Sequence, residues 1–242
     1  MVPPAAAEIT VAAAADLNAA LTEITANYQK ETGKTVRLVF GSSGNLTTQI
    51  QNGAPFDVLL SADLDYPKRL IDGGFADGGS MFTYAVGRLV LWFPATSTLD
   101  AQQRGMDALT DPSVKKIAIA NPEHAPYGRA AVAALKHYNL YEKISDRLVQ
   151  GENVSQAAQF VESGNAQVGM VALAHALAPG MKEKGKYWEV PADAYPQLDQ
   201  GAVILTHSHA QGEAKQFLDY LKSSAAITVL QRYGFSIPGH KD

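Results

Sequence analysis

The chain has 242 residues, a formal net charge of −4 and 18% charged residues. That length suffices for a sizeable core or for two lobes of ordinary domain size, and the weak acidic balance makes nucleic acid and acidic membrane surfaces poor partners. With no cysteine, disulfides, thiolate chemistry and Cys-held zinc or iron–sulfur centres are excluded, and no apolar stretch approaches the roughly 18 residues that span a bilayer.

Met1-Val2-Pro3-Pro4 opens the chain with neither an Arg-rich transit pattern nor the apolar run of a signal peptide. Residues 8–15 are an extended run of small and β-branched residues ending at Asp16. Leu17, Ala20, Leu21, Ile24 and Tyr28 follow at amphipathic helical spacing, with Asp16 as the natural N-cap. Residues 36–40 read as a buried parallel strand, and helical spacing resumes with Leu46 and Ile50. Between them, Gly41-Ser42-Ser43-Gly44-Asn45 holds two glycines, two hydroxyls and no charge. Such a turn is either a flexible loop with a Ser N-cap or a cradle of amides and hydroxyls for a small anion at the positive end of a helix. Two strand-to-helix turns of small residues favour the cradle, because parallel strands place their C-terminal ends along one edge.

Further along, residues 57–61 form a third buried strand, and Pro67 opens a short helix that stops at Gly73-Gly74. Residues 87–93 are a strongly apolar strand broken by Pro94, and 116–120 are another. Helices are expected over 128–138 and 154–161, strands over 168–173 and 202–206, and two closing helices over 212–223 and 225–233. Alternation of the two patterns argues for an α/β architecture. No internal repeat, low-complexity segment or charge block interrupts it.

Several motifs then carry a resemblance. They are Val11-Ala12-Ala13-Ala14-Ala15-Asp16-Leu17, Phe40-Gly41-Ser42-Ser43-Gly44, and Gly53-Ala54-Pro55-Phe56-Asp57-Val58 with Ser61-Ala62-Asp63. Asn121-Pro122-Glu123-His124-Ala125-Pro126-Tyr127-Gly128, Glu152-Asn153-Val154 and Arg232-Tyr233-Gly234-Phe235 complete the set. Together, from Ile9 to about Pro238, they resemble the periplasmic molybdate-binding proteins of ABC transporters, which are type II solute-binding proteins. The resemblance implies two Rossmann-like α/β lobes with mixed sheets, joined by two crossover strands near 84–88 and 197–203, with the ligand cleft between them. One lobe would be 1–84 plus 203–242 and the other 85–202. It implies a receptor, not an enzyme, that uses no cofactor and delivers molybdate or tungstate to a membrane permease. Molybdenum or tungsten enters only as the bound oxyanion. A monomer in the periplasm, its leader already removed, is the implied state.

The implied ligand residues are Ala15, Asp16, Ser42, Ser43, Tyr127 and Val154. Ser43 matches a hydroxyl-plus-amide donor, and Val154 a backbone N–H at a helix start. Tyr127 stands where some members reach the anion with a phenol, though an aromatic at a Pro-Tyr-Gly turn also serves for packing. Ala172 occupies a position where many members carry a Tyr donor, and Ala15-Asp16 one where many carry serine. A carboxylate ~4 Å from an anion is repelled by ~1 kcal/mol per unit charge in water and several times more in a closed cleft. Asp16 is therefore expected to turn back and cap its own helix, leaving its N–H for the ligand. In the alternative, its carboxylate accepts a proton-bearing oxygen and selects phosphate- or arsenate-like ions.

His207 and His209 lack an evident third metal ligand, and Glu123-His124 reads as a loop before it reads as an acid/base pair. No phosphate loop, nucleophile elbow or HExxH helix is present. The rival readings are an enzyme, or the ligand-sensing domain of a transcription regulator, on the same fold. The second needs a DNA-binding segment, and nothing basic or helix-turn-helix-like precedes Glu8.

Overall fold

In the computed structural model, residues 8–239 are described; the reading of the first residues as a processed N-terminus lies outside them. In chain order the first elements are β1 (Ile9–Ala14), α1 (Asn18–Thr32), β2 (Val36–Gly41), α2 (Ser43–Gln51), β3 (Val58–Ser61), α3 (Asp65–Asp72) and β4 (Ala76–Gly87). Next come β5 (Leu89–Pro94), α4 (Ala101–Arg104), β6 (Ile117–Ala120), α5 (Pro126–His137), α6 (Tyr141–Ile144), β7 (Leu148–Gly151) and α7 (Val154–Glu162). β8 (Val168–Ala172), α8 (Leu173–Leu177), α9 (Pro179–Lys182), β9 (Gly185–Glu189), β10 (Leu198–Leu205), α10 (Gln211–Leu221) and α11 (Ser224–Arg232) complete the chain.

These elements divide into two compact units. Among the described residues, one contains 8–85, Asp199–Arg232 and 236–239; the other contains Val86–Leu198 and Tyr233–Phe235. The chain thus changes unit inside β4 and again inside β10. The first change falls one residue past the expected boundary at 84. At the second the first unit resumes at Asp199, four residues before the expected 203, and β10 already pairs with β3 from Gly201. Tyr233–Phe235 belongs to the second unit, where the expected division had assigned it to the first.

The first unit's sheet has the order β2-β1-β3-β10-β4. β1 runs parallel to β2 and β3, and β10 runs antiparallel to β3. Ala12, Leu46, Ile50, Leu59, Leu70, Val203 and Leu205 form its core under α2 and α3. Each large aliphatic side chain buried there contributes about 1.5–3 kcal/mol. α10 docks on α1 through Tyr28, whose ring meets Phe217 edge-on at 5.4 Å and Tyr220 at 5.1 Å. The Arg232–Glu23 ion pair ties α11 to the same helix.

The second unit repeats the plan with the order β7-β6-β8-β5-β9. β6 is parallel to β7 and β8, while β5 is antiparallel to β8 and β9. Trp92 fills its core, and a Cβ on Gly185 of the neighbouring strand would land on the indole ring.

The main elements appear where the periodicities place them, with instructive exceptions. β7 and β9 were not expected, and β4 was expected only as the crossover near 84–88. β4 begins Ala76-Asp77-Gly78-Gly79, a turn-like composition, and β7 and β9 are short edge strands too exposed to alternate cleanly. α3 starts at Asp65, before Pro67 rather than at it. The expected N-cap also fails. A 3-10 turn over Ala15–Leu17 precedes α1, the cap positions are Ala14 and Leu17, and neither caps through a side chain. Asp16 sits inside that turn, and its buried carboxylate accepts from the Gln200 side-chain amide. No described helix is long and apolar enough to cross a membrane.

Candidate anion-binding site

Strand register brings the first unit's candidates together. Ala14 pairs with Gly41, so Ala15-Asp16 and Ser42-Ser43 leave the sheet side by side. Ala13 pairs with Leu60, so Ser61-Ala62-Asp63 leaves it next to them. These are the C-terminal ends of parallel strands, where α/β sheets place ligands.

Ser42 is the N-cap of α2; its Oγ accepts from the Asn45 amide at 3.3 Å, and its carbonyl accepts from Leu46 at 3.0 Å. The amides of Ser43 and Gly44, the first two helical positions, have no intrahelical acceptor by geometry. Ser43 has no exposed surface, and its Oγ accepts from the Ala62 amide at 3.0 Å. A hydroxyl carries one proton and two lone pairs, so this contact leaves Ser43 as a donor. Hydroxyl and amides therefore act with the helix dipole, and no cation is needed.

Behind the turn lies a polar group that the sequence reading did not single out. Gln200 is fully buried; its Nε2 donates to Asp16 and its Oε1 accepts from Tyr84 Oη at 2.8 Å. Ser61 Oγ donates to Asp63 at 3.1 Å, and the same carboxylate accepts from the Tyr66 amide at 3.1 Å. Burial first, then the nearby charges of Asp16 and Asp63, pushes the Tyr84 phenol well above its ordinary value.

The second unit carries the other candidates. Ala120 pairs with Gly151, so the turns after β6 and β7 leave the sheet together. Val154 is the first residue of α7; Asn153 caps it, accepting from Gln156 at 3.1 Å. That leaves the Val154 amide at the helix start, as expected of a backbone donor. Tyr127 is the second residue of α5, after Pro126, and is 2% exposed. The helix start presses on the end of β6: a Cβ at Gly128 would fall onto the Ala120 carbonyl and within 2.8 Å of Asn121 and Pro122 backbone. Ala172 ends β8 and brings no side-chain donor. His124 Nε2 lies 3.9 Å from the Glu152 carboxylate, and no group of three or more His, Asp or Glu able to hold a metal occurs among the described residues.

Next to Val154, the Ser155 hydroxyl and His175 Nε2 lie 2.7 Å apart. His175 Nδ1 is enclosed without a hydrogen-bond partner, and burial lowers the His175 pKa from 6.5 to about 4. In the unfolded chain the ring takes up a proton near pH 6.5, while the folded ring refuses it until about pH 4. Stability is therefore complete above pH 6.5 and falls as pH drops through that window, by about 3 kcal/mol in all. His175→Gln should flatten this part of the curve in urea denaturation between pH 4 and 7; an unchanged slope would assign it to other groups.

Comparison with known proteins follows the same outline. Residues 9–236 match the bacterial extracellular solute-binding protein family. The chain belongs to that family. It is 42% identical over 233 residues to the molybdate-binding protein ModA of Rhodobacter capsulatus, covering 96% of this chain and 90% of the relative. It is 32% identical to ModA of Escherichia coli over 95% of this chain and 89% of that protein. The solved periplasmic molybdate-binding protein of Azotobacter vinelandii superposes with a TM-score of 0.90 at 36% identity, over 95% of this chain and 99% of that one. The expected fold class, two α/β lobes with mixed sheets, is the one observed.

Proposed function

We propose that this solute-binding protein captures molybdate or tungstate in the periplasm and hands it to the permease of an ABC transporter. The observation that carries the reading is Ser43: a fully buried hydroxyl, held as a donor by the Ala62 amide, beside helix-start amides and with no cation in its turn. Identity of 42% to a molybdate-binding protein supports the choice of ligand. The candidate donors are Ser43, Ala15-Asp16 and Ser42 in the first unit, and Tyr127 and the Val154 amide are the candidates that the second unit carries. About five donors at ~1.5–3 kcal/mol each give roughly 8–15 kcal/mol gross. Ordering and desolvation leave micromolar to nanomolar affinity. No cofactor and no chemical step are needed, and the receptor acts as a monomer.

Isothermal titration with molybdate, tungstate, sulfate and phosphate from pH 5 to 8 tests this. Tight, pH-insensitive binding of the first two with silence from the others is expected. Preference for phosphate would instead make Asp16 a proton acceptor, and silence toward all four would remove the receptor reading. Tyr127→Phe separates phenol from ring: a loss of about ten- to a hundredfold in affinity marks a ligand hydroxyl, and wild-type affinity marks a packing role.

A further inference from the structure

Tyr84, Gln200 and Asp16 form a directed chain of hydrogen bonds inside the first unit. A carboxylate only accepts, so the Gln200 NH2 must face Asp16, leaving its carbonyl to accept from the Tyr84 hydroxyl. Gln200 has no exposed surface, and the Asp16 carboxylate it meets lies in the turn beside Ser42-Ser43. A buried charge is tolerated only when hydrogen-bonded, and here it stands next to a turn that collects an anion. Tyr84 lies on β4 and Gln200 on β10, each within two residues of a point where the chain changes unit.

We propose that Gln200, backed by Tyr84, is the positioning residue of the anion turn. It anchors the Asp16 carboxylate inside the first unit, which fixes the Ala15-Asp16 peptide for the ligand and keeps the carboxylate's charge off the bound oxyanion. The inference rests on the oxyanion-receptor reading above. Its signature is coupling: Gln200 matters because Asp16 is charged, so neutralising Asp16 removes the need for it.

The test is molybdate titration of the full chain carrying Gln200→Leu, Asp16→Asn and both changes. Gln200→Leu should lose about ten- to a hundredfold in affinity, and adding Asp16→Asn should recover most of that loss. Gln200→Glu, close to isosteric, gives a second route if the leucine variant does not fold. It sets two carboxylates against each other and should lose at least as much, while Gln200→Glu with Asp16→Asn rebuilds the amide–carboxylate pair with the partners exchanged and should bind again. Additive losses in both double variants, or wild-type affinity in Gln200→Leu, overturn the inference while wild-type binding leaves the receptor reading standing. A wild type silent toward all four anions overturns both.

Discussion

Ser43→Ala is expected to weaken molybdate binding by about ten- to a hundredfold, or ~1.5–3 kcal/mol, because it deletes a donor to a charged ligand. The same change acts on the ligand-free protein. Ser43 Oγ accepts from the buried Ala62 amide at 3.0 Å, and alanine leaves that N–H without its acceptor. A stranded buried amide costs about 1–3 kcal/mol, so the urea midpoint should fall as well. Ser43→Thr keeps the hydroxyl but adds a methyl group at a position with no free surface, so it restores the donor only if the turn gives way. Equal affinity for wild type and Ser43→Ala would take the anion turn out of the site altogether.

The second large effect is steric. Gly128→Ala places a methyl group on the Ala120 carbonyl and within 2.8 Å of the Asn121 and Pro122 backbone. Backbone cannot rotate aside as a flexible side chain does, so α5 must shift away from the end of β6. Overpacking of this kind costs about 1–3 kcal/mol and sometimes more. Because Tyr127 is the neighbouring residue on α5, the shift should also weaken anion binding. Denaturation and titration of one Gly128→Ala sample measure both effects, and near-wild-type stability would show that the contact relaxes freely.

The motifs behind the family resemblance are largely the places where backbone chemistry is unusual. Asp57 accepts from the Thr10 amide at 2.7 Å and from Ser208 Oγ at 2.6 Å, tying β1 to the turn after β10. Gly128 is required by close approach, Asn153 by capping, and Ser61-Ala62-Asp63 by its hydrogen bonds to Ser43 and Tyr66. Those requirements leave local signals: the start of α2 at Ser42-Ser43 was legible from the residues themselves, and the start of α7 at Val154 from the helical run over 154–161. Gln200 and Tyr84 left none. Their roles depend on partners far away in sequence, and β10 looked as if it began at Ala202 because Asp199 and Gln200 break its apolar run. Asp16 was misread for a related reason: spacing to Leu17 and Ala20 fits a cap, but the chain makes a 3-10 turn first and the side chain finds Gln200 instead. The Ser155–His175 contact joins residues on different helices and has no pattern in the sequence at all.

The sheet order β2-β1-β3-β10-β4 also governs how this chain can assemble. β10 lies between β3 and β4 but is made only after the nearly continuous second unit. A chain emerging from its N-terminus therefore supplies almost all of the second unit before the first can complete its sheet. Until β10 arrives, the far edge of β3 has unpaired amides and carbonyls, and such open edges invite mispairing. Long-range strand pairing is also intrinsically slow, because loop closure must come before the contacts that reward it. The unit begun first therefore cannot complete its sheet until nearly all of the second has been made, and until then the β1–β3 layer keeps an open edge.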